Sequence, residues 1–431
     1  MQRLIGIRRE DKNIWERRVP LVPEHVHLLL AEYNIKTRLQ PFTDRAFQDK
    51  EYVKAGAEID EDLSPCEIIL AVKEIPPHLL LPDKTFCFFS HTIKGQSQNM
   101  PMLQRLLDLD CNLIDYECIK GPDNKRLVFF GRYAGLAGMI DTLHGVGQRL
   151  AALDIDSPFL TIKQAMEYQD LNEAFEDVHR LGQAIKKHGL PPALTPFVIG
   201  IAGYGQVSKG AQEVLEQLPI VNVSPQDLFK LDPSVPFYKV IFSEQDMVEP
   251  NDPEFHFALR NYYVHPQYYR SKFDQYLDYL TVLVNAIYWD ERYPRLVTKA
   301  SLKQRYEKGG EQKLLLITDI SCDIRGAIEI TEKTTDPANP SFIYNPLTDQ
   351  IQDGFGGSGI ADIAIDNLPA ELPRDSSQAF SSALWAMIPE ILEADWKTLF
   401  EECHLPPEIK NAIIVYNGEL TPAFQYLKEY L

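Results

Sequence analysis

The chain has no apolar stretch long enough to cross a bilayer. It shows no secretory or transit segment either: Met1-Gln2-Arg3-Leu4-Ile5-Gly6 runs directly into strand-like sequence. A cytoplasmic location is the expectation. Positive charge is scarce. Lys and Arg number 43 against 62 Asp and Glu, a formal net charge of -19, which argues against nucleic acid or an anionic membrane as partner. An anionic substrate must then be drawn by a local cluster of arginine and lysine. Cysteine is sparse as well. The six residues (Cys66, Cys87, Cys111, Cys118, Cys322, Cys403) stand at neither metal-ligand nor disulfide spacing. No metal site is expected, and the thiols read as small core residues of a reducing compartment. Repeats and low-complexity segments are lacking, and hydrophobic and charged contents of 45% and 24% are those of ordinary globular domains. With 431 residues the chain exceeds one compact core, so two domains are expected.

What is present is a strand feeding a glycine-spaced turn: Val198-Ile199-Gly200-Ile201-Ala202-Gly203-Tyr204-Gly205-Gln206-Val207-Ser208-Lys209-Gly210-Ala211. Strand, Gly-x-Gly and helix in that order suit a dinucleotide pyrophosphate. Gly203 permits the tight turn, Gly205 removes a side chain where backbone must approach phosphate, and the helix N-terminus offers N–H donors. Ser208 stands where a third glycine is usual, and Gly210 and Ala211 keep the helix small enough to pack on the strand. Gly203, Tyr204, Gly205, Gln206 and Val207 are thus the candidate cofactor cradle; the alternative is a tight strand–helix turn with no ligand.

The first third alternates short apolar runs with helical patterns. Strands are predicted over 4–7, 67–72, 86–90, 112–115 and 127–130, and helices over 23–32 and 97–107. Such alternation indicates an open, mostly parallel sheet covered by helices. Leu136, Ile140, Leu143 and Leu150 recur at helical spacing, with Gly138, Gly145 and Gly147 among them, which predicts a long interdomain helix approached closely by other backbone. Phe380, Leu384, Met387, Ile388 and Ile391 mark a second. The expected fold is α/β: two Rossmann-like domains with mostly parallel sheets, linked by long helices around a central cleft. Residues 1–150 and 366–431 would form a substrate domain and 151–365 a dinucleotide domain. The stretch 255–278, rich in Tyr and His, reads as an insertion.

Ionisable residues stand at predicted strand ends, where α/β sheets place ligands. Lys73 closes one strand; His91 closes its neighbour and is followed by Lys94. Proximity and partial burial would lower their proton affinity and suit proton transfer near neutral pH, although solvated or core roles are the alternative. Arg18, in Glu16-Arg17-Arg18-Val19-Pro20, follows the first strand. Arg132 is a carboxylate clamp or an ordinary surface arginine. Glu117 would pair with a substrate amine or neutralise an arginine. Asp319, ending the run 314–319, would lie near a nicotinamide or cap the following segment. The next predicted strand, Ile220-Val221-Asn222-Val223-Ser224, carries no acid to read a ribose hydroxyl. Ser224 stands there instead, Asp227 comes late and Lys230 is the nearby cation, which favours NADPH over NADH.

The same residues carry a family likeness. The chain resembles the lysine–2-oxoglutarate reductase (saccharopine-forming) enzymes of lysine breakdown and, more distantly, lysine-forming saccharopine dehydrogenases and alanine dehydrogenases. Matching stretches include Gly6-Ile7-Arg8-Arg9-Glu10-Asp11-Lys12-Asn13, Glu16-Arg17-Arg18-Val19-Pro20-Leu21, Phe88-Phe89-Ser90-His91-Thr92-Ile93-Lys94, Gly135-Leu136-Ala137-Gly138-Met139, the glycine turn, Asn285-Ala286-Ile287-Tyr288-Trp289, Asp319-Ile320-Ser321 and Ile365-Asp366-Asn367-Leu368-Pro369. The resemblance implies an oxidoreductase that condenses L-lysine with 2-oxoglutarate and reduces the imine with NADPH. Lys73 and His91 would transfer protons. Arg18, Glu117, Arg132 and Lys94 would bind substrate, and Ser224, Asp319 and Ile320 would join the cradle around the cofactor. In that family the reductase is often fused to a saccharopine-oxidising enzyme, for which these residues leave no room; a homo-oligomer or association with a separate such enzyme is the corresponding expectation. The alternatives are an NAD-dependent lysine-forming saccharopine dehydrogenase and a catalytically silent nucleotide-binding paralogue.

Overall fold

The structure, a computed structural model, describes residues 3–310 and 312–431. The chain divides into two compact units, one running to Phe130 and completed by Pro373–Leu431, the other Gly131–Leu372. The junctions thus fall at Gly131 and Pro373, where the sequence placed them at 150/151 and 365/366. The helix Gly131–Ala152 lies wholly in the second unit, because its glycines pack there. Among the described residues no helix is long and apolar enough to cross a membrane.

In the first unit the strands Glu58–Ile59, Lys36–Leu39, Leu4–Ile7, Ile68–Leu70, Thr85–Phe88 and Asn112–Asp115 pair in that order, all parallel. Ile68–Leu70 and Thr85–Phe88 are buried throughout, as strands covered on both faces must be. The predicted strand at 127–130 does not form. Its apolar residues alternate as a strand's would, with Val128 fully buried between the exposed Leu127 and Phe129. The edge it would need is already taken, however: Ile413–Tyr416 returns from the C-terminus to pair antiparallel with Asn112–Asp115, and Glu419–Leu420 pairs beyond it. Phe130 instead stacks on Phe380, 4.6 Å between centroids, in the helix Pro373–Leu384; the single helix expected from Phe380 to Ile391 is broken by a tighter turn at Trp385–Met387 before the short helix Ile388–Glu393.

The second unit holds a parallel sheet ordered Val221–Val223, Phe237–Phe242, Phe197–Ala202, Val282–Asn285, Leu316–Asp319 and Ile360–Ile363, extended by the antiparallel Ser341–Asn345 and Gln350–Asp353. Phe197, Ile199 and Ile201 enter the core on one face, Val198 and Ala202 that on the other. The strand beside the glycine strand is therefore Phe237–Phe242, and Val221–Val223, expected there, is the edge. Burial explains the order: Phe237–Phe242 is almost wholly buried, whereas Val221 and Asn222 are exposed, and a short exposed strand suits an edge.

The helix Gly131–Ala152 crosses the helix Gln206–Leu215 backbone on backbone. A Cβ on Gly135 would stand 1.8 Å from the Val207 carbonyl oxygen, and one on Gly210 would stand 2.0 Å from that of Arg132. Gly210 thus serves a helix–helix contact, not the strand packing read from the sequence. The 255–278 stretch is also no mere appendage. Tyr269–Ser271 pairs antiparallel with Val248–Pro250, and Tyr262, Tyr269, Phe273 and Tyr276 are buried in the core. Because the crossing has no room for a methyl group, Gly135→Ala is expected to lower the urea midpoint by the equivalent of about 1–3 kcal/mol or more; an unchanged midpoint would show that the helices can separate at no cost.

Candidate active site

In the first unit, several parallel strands deliver ionisable groups to one edge of the sheet. The chain leaving Ile68–Leu70 reaches Lys73 and Glu74, and the chain leaving Thr85–Phe88 reaches Ser90 and His91. His91 Nδ1 lies 2.6 Å from Glu74 Oε1, and Lys12 Nζ donates to both oxygens of Glu74 at 2.9 Å. Burial works against the charge on Glu74, but the bonds from His91 and Lys12 outweigh it and hold its carboxyl down at about 2. A fixed carboxylate at Nδ1 leaves Nε2 as the outward-facing imidazole nitrogen. His91 itself has φ 48°, a left-handed conformation uncommon outside glycine. Asn99 Nδ2 donates to its carbonyl at 3.0 Å and the ring stacks against Phe89.

Lys73 is half-buried, and its ammonium makes no ion pair among the described residues. Burial lowers its proton affinity below that of ordinary lysine; the positive charges of Arg18 and Lys12 lower it further, against the pull of Glu16 and Glu74. A lysine in this setting sheds its proton more readily and can act as a base.

Two buried acids that the sequence reading passed over set the backbone of this corner. Glu10 accepts from the Val72 N–H at 2.6 Å and the Lys73 N–H at 3.0 Å. Burial, then the nearby Glu16, raise its carboxyl to about 7. Asp115, fully buried, takes the Ser90 N–H at 3.1 Å, the Ser90 hydroxyl, and the Glu117 N–H at 2.7 Å; burial raises it to about 6. An acid a few residues after an apolar strand run, as Glu10 follows Ile7, was the available signal.

The other expected substrate contacts have internal partners. Arg18 is buried and gripped in bidentate fashion by the buried Glu16, Nε to Oε1 at 2.7 Å and an Nη to Oε2 at 2.6 Å, with its guanidinium 4.2 Å from the Phe130 ring centroid. Glu117 pairs with Arg126. Arg132 belongs to the second unit, where its Nε donates to Glu213 at 2.8 Å. Lys94 is exposed.

In the second unit, Gly203 has φ 97°, and a Cβ there would also stand 2.9 Å from the Ala286 carbonyl oxygen, so both conformation and space demand glycine. Gly205 precedes the helix Gln206–Leu215, whose N-terminus has no side-chain cap, and no atom lies within 4 Å of where its Cβ would be. Bare N–H donors facing open space fit a pyrophosphate. At the end of its strand, Asp319 is buried. It accepts from Asn285 Nδ2 at 2.8 Å, Ser321 Oγ at 2.7 Å and Thr331 Oγ1 at 2.9 Å, tying the Ile320–Ser321 loop to the neighbouring strand. Burial raises its proton affinity. Ser224 closes the edge strand, one strand farther out than expected, and its hydroxyl donates to Asp227 at 2.6 Å to cap the turn Pro225–Lys230. One ground for expecting NADPH, beside the family resemblance, was Ser224 standing next to the glycine turn. That premise is corrected: the neighbouring strand ends in Ser243 and Glu244.

Two outcomes are expected. Gly205→Val should leave the melting temperature near wild type, since the site is open, yet abolish dinucleotide binding; retained affinity by fluorescence titration would remove the pyrophosphate from this turn. Glu10, with a folded value of about 7 against an ordinary 4.5, binds its proton more tightly when folded. Its contribution to stability is complete below about pH 4.5 and is lost as pH rises through about 7, on the order of 3 kcal/mol. Urea midpoints taken across that window should therefore vary less with pH in Glu10→Gln than in wild type; parallel profiles would refute the shift.

Comparison with known proteins matches two domain profiles, in order along the chain. The profile of the alanine dehydrogenase/PNT N-terminal domain matches residues 6–137, and that of the alanine dehydrogenase/PNT C-terminal domain matches 256–423. The chain is 37% identical to alpha-aminoadipic semialdehyde synthase of Arabidopsis thaliana over 98% of its own length and 41% of the relative's. It is 36% identical to the bovine alpha-aminoadipic semialdehyde synthase, mitochondrial, over 99% and 48%. It therefore spans less than half the length of these relatives. A saccharopine dehydrogenase [NAD(+), L-lysine-forming] of Schizosaccharomyces pombe is 26% identical over 90% of this chain and 92% of that one. Among solved structures an L-alanine dehydrogenase shares the fold, with a TM-score of 0.64 at 18% identity over 99% of this chain and all of that one. With both domain profiles matched in order, the chain belongs to the alanine dehydrogenase/PNT family.

Proposed function

We propose that the protein condenses the ε-amine of L-lysine with the ketone of 2-oxoglutarate and reduces the resulting imine to saccharopine, a reaction of lysine breakdown. The observation that carries this reading is a base-prone Lys73, without an ion pair among the described residues, joined through its neighbour Glu74 to an oriented His91. Imine formation needs a base to take a proton from the amine and an acid to release water from the carbinolamine. In this reading Lys73 is the base. His91, its Nδ1 held by Glu74, presents Nε2 as the acid that protonates the departing hydroxyl. Arg18, fixed by Glu16 and Phe130, supplies the positive field for a substrate carboxylate, with exposed Lys94 as a further cation. Glu117 and Arg132 act through their paired partners, Arg126 and Glu213. A bound dinucleotide, cradled by Gly203, Tyr204, Gly205, Gln206 and Val207, supplies the hydride. Asp319 keeps Ile320 and Ser321 in place beside that cradle.

A second reading is the reverse direction, saccharopine to lysine with NAD. It is favoured by the S. pombe relative, which this chain covers almost end to end. A catalytically silent paralogue would have no need of the Lys73–Glu74–His91 arrangement. The deciding assay follows nicotinamide absorbance with lysine plus 2-oxoglutarate and, separately, with saccharopine, for both NADH/NAD and NADPH/NADP; no turnover in either direction would sink the assignment. Lys73→Met is expected to cut turnover about 100-fold or more with dinucleotide affinity near wild type, and unchanged turnover would take Lys73 out of the mechanism.

A further inference from the structure

We propose that Glu244 reads the adenosine ribose of the bound dinucleotide and makes this protein selective for the cofactor that lacks a 2′-phosphate. The inference rests on the glycine turn being the dinucleotide cradle. It does not depend on which substrates are joined.

Topology carries the argument. In a Rossmann-type sheet, the ribose hydroxyls are met by the residue at the carboxyl end of the strand adjacent to the glycine strand. An Asp or Glu there accepts from the 2′-hydroxyl, whereas an Arg nearby accommodates a 2′-phosphate. In this protein Ala202 pairs with Phe242, and the Gly203 N–H donates to the Phe242 carbonyl at 2.9 Å. The chain beyond Phe242 therefore emerges alongside the Gly203–Tyr204–Gly205 turn, and its next residues are Ser243 and Glu244. Sequence spacing hides this, because the edge strand Val221–Val223 and the turn Pro225–Lys230 intervene and carry the acid far beyond the roughly 20 residues at which it is usually sought.

The surroundings of Glu244 are those of an acceptor. Its Oε1 takes the Tyr263 hydroxyl at 2.5 Å and the Tyr204 hydroxyl at 3.4 Å, while Oε2 has no hydrogen bond among the described residues. Tyr204 is the middle residue of the glycine turn itself, so the acid is tied directly to the cradle. Tyr263 comes from the 255–278 stretch, on the helix Leu259–Val264, which gives that stretch a role at the adenosine end. No lysine or arginine pairs with Glu244 among the described residues. A phosphate brought to this position would meet a carboxylate with no cation to offset it, and like charges so placed repel. Both phenols remain about half exposed, Tyr204 at 49% and Tyr263 at 47%, so a ribose can approach from solvent.

The test measures binding to the 431-residue chain with no amino acid or keto acid present: dissociation constants for NADH and NADPH by fluorescence titration, with NAD and NADP by calorimetry. Wild type is expected to bind NADH at least tenfold more tightly than NADPH, and Glu244→Gln to shrink that ratio to about threefold or less. Tyr263→Phe removes one donor and keeps the charge; it should weaken NADH binding severalfold with the preference for NADH retained. Equal or tighter binding of NADPH by wild type would overturn the proposal, as would a preference that survives Glu244→Gln in a variant whose circular dichroism and melting match wild type. A protein that binds neither dinucleotide would overturn it too. One that prefers NADH but turns over neither lysine with 2-oxoglutarate nor saccharopine would support it while refuting the proposed reaction.

Discussion

The second unit depends on two helices meeting with nothing between them but backbone. Gly135 and Gly210 let Gly131–Ala152 and Gln206–Leu215 approach until a carbonyl oxygen occupies the place of each missing Cβ. A crossing of that kind tolerates little sliding, because any displacement drives a side chain into main chain. The helix that begins at the glycine turn is held along its length by this contact, so its N-terminal N–H groups point where the sheet and the partner helix dictate. Preorganised donors of this sort spare the ligand the cost of ordering them. The further glycines of the long helix repeat the device, Gly138 against Ile320, Gly145 against Leu316 and Ile363, and Gly147 against the backbone of Phe159.

The first unit is organised by buried acids in place of close-packed glycines. Glu10 binds the Val72 and Lys73 N–H groups, and Asp115 binds the Ser90 N–H beside His91 as well as the Glu117 N–H past its own strand. A side chain held through its own backbone keeps its position without occupying the space a substrate needs. Glu74 does the complementary work on the side chain, fixing one imidazole nitrogen by accepting at it. The result is a graded set of carboxyls, from about 2 at Glu74 to about 6 at Asp115 and about 7 at Glu10. The difference follows from cations: Glu74 has Lys12 and His91, while burial dominates at the other two.

Much of this was legible in the residues. The glycine turn, the parallel strands at 4–7 and 112–115, the long helix and the ionisable strand ends are local patterns, and local patterns survive folding when they agree with the global arrangement. Lys73 and His91 came out at neighbouring strand ends as expected, since the parallel order of their strands follows from alternation of strand and helix. What failed were statements about neighbours. A strand at 127–130 had the right alternation but lost its edge to Ile413–Tyr416, nearly three hundred residues away in sequence. For Glu117 the sequence left a substrate amine and an arginine both open, and the structure supplies Arg126; Arg132 has Glu213 as its partner.

The amino-acid order alone determined the α/β class, the position of the glycine turn and the ionisable groups at two strand ends, because each rests on apolar runs and turn residues that are local in sequence. Tertiary structure alone decided which strand lies beside that bend, which buried acids bind the backbone next to Lys73 and His91, and that Glu244, not Ser224, follows the strand adjoining the glycine turn. Strand adjacency is settled by competition for buried positions across the whole sheet, and Phe237–Phe242 displaced Val221–Val223 because it has the greater apolar surface to hide.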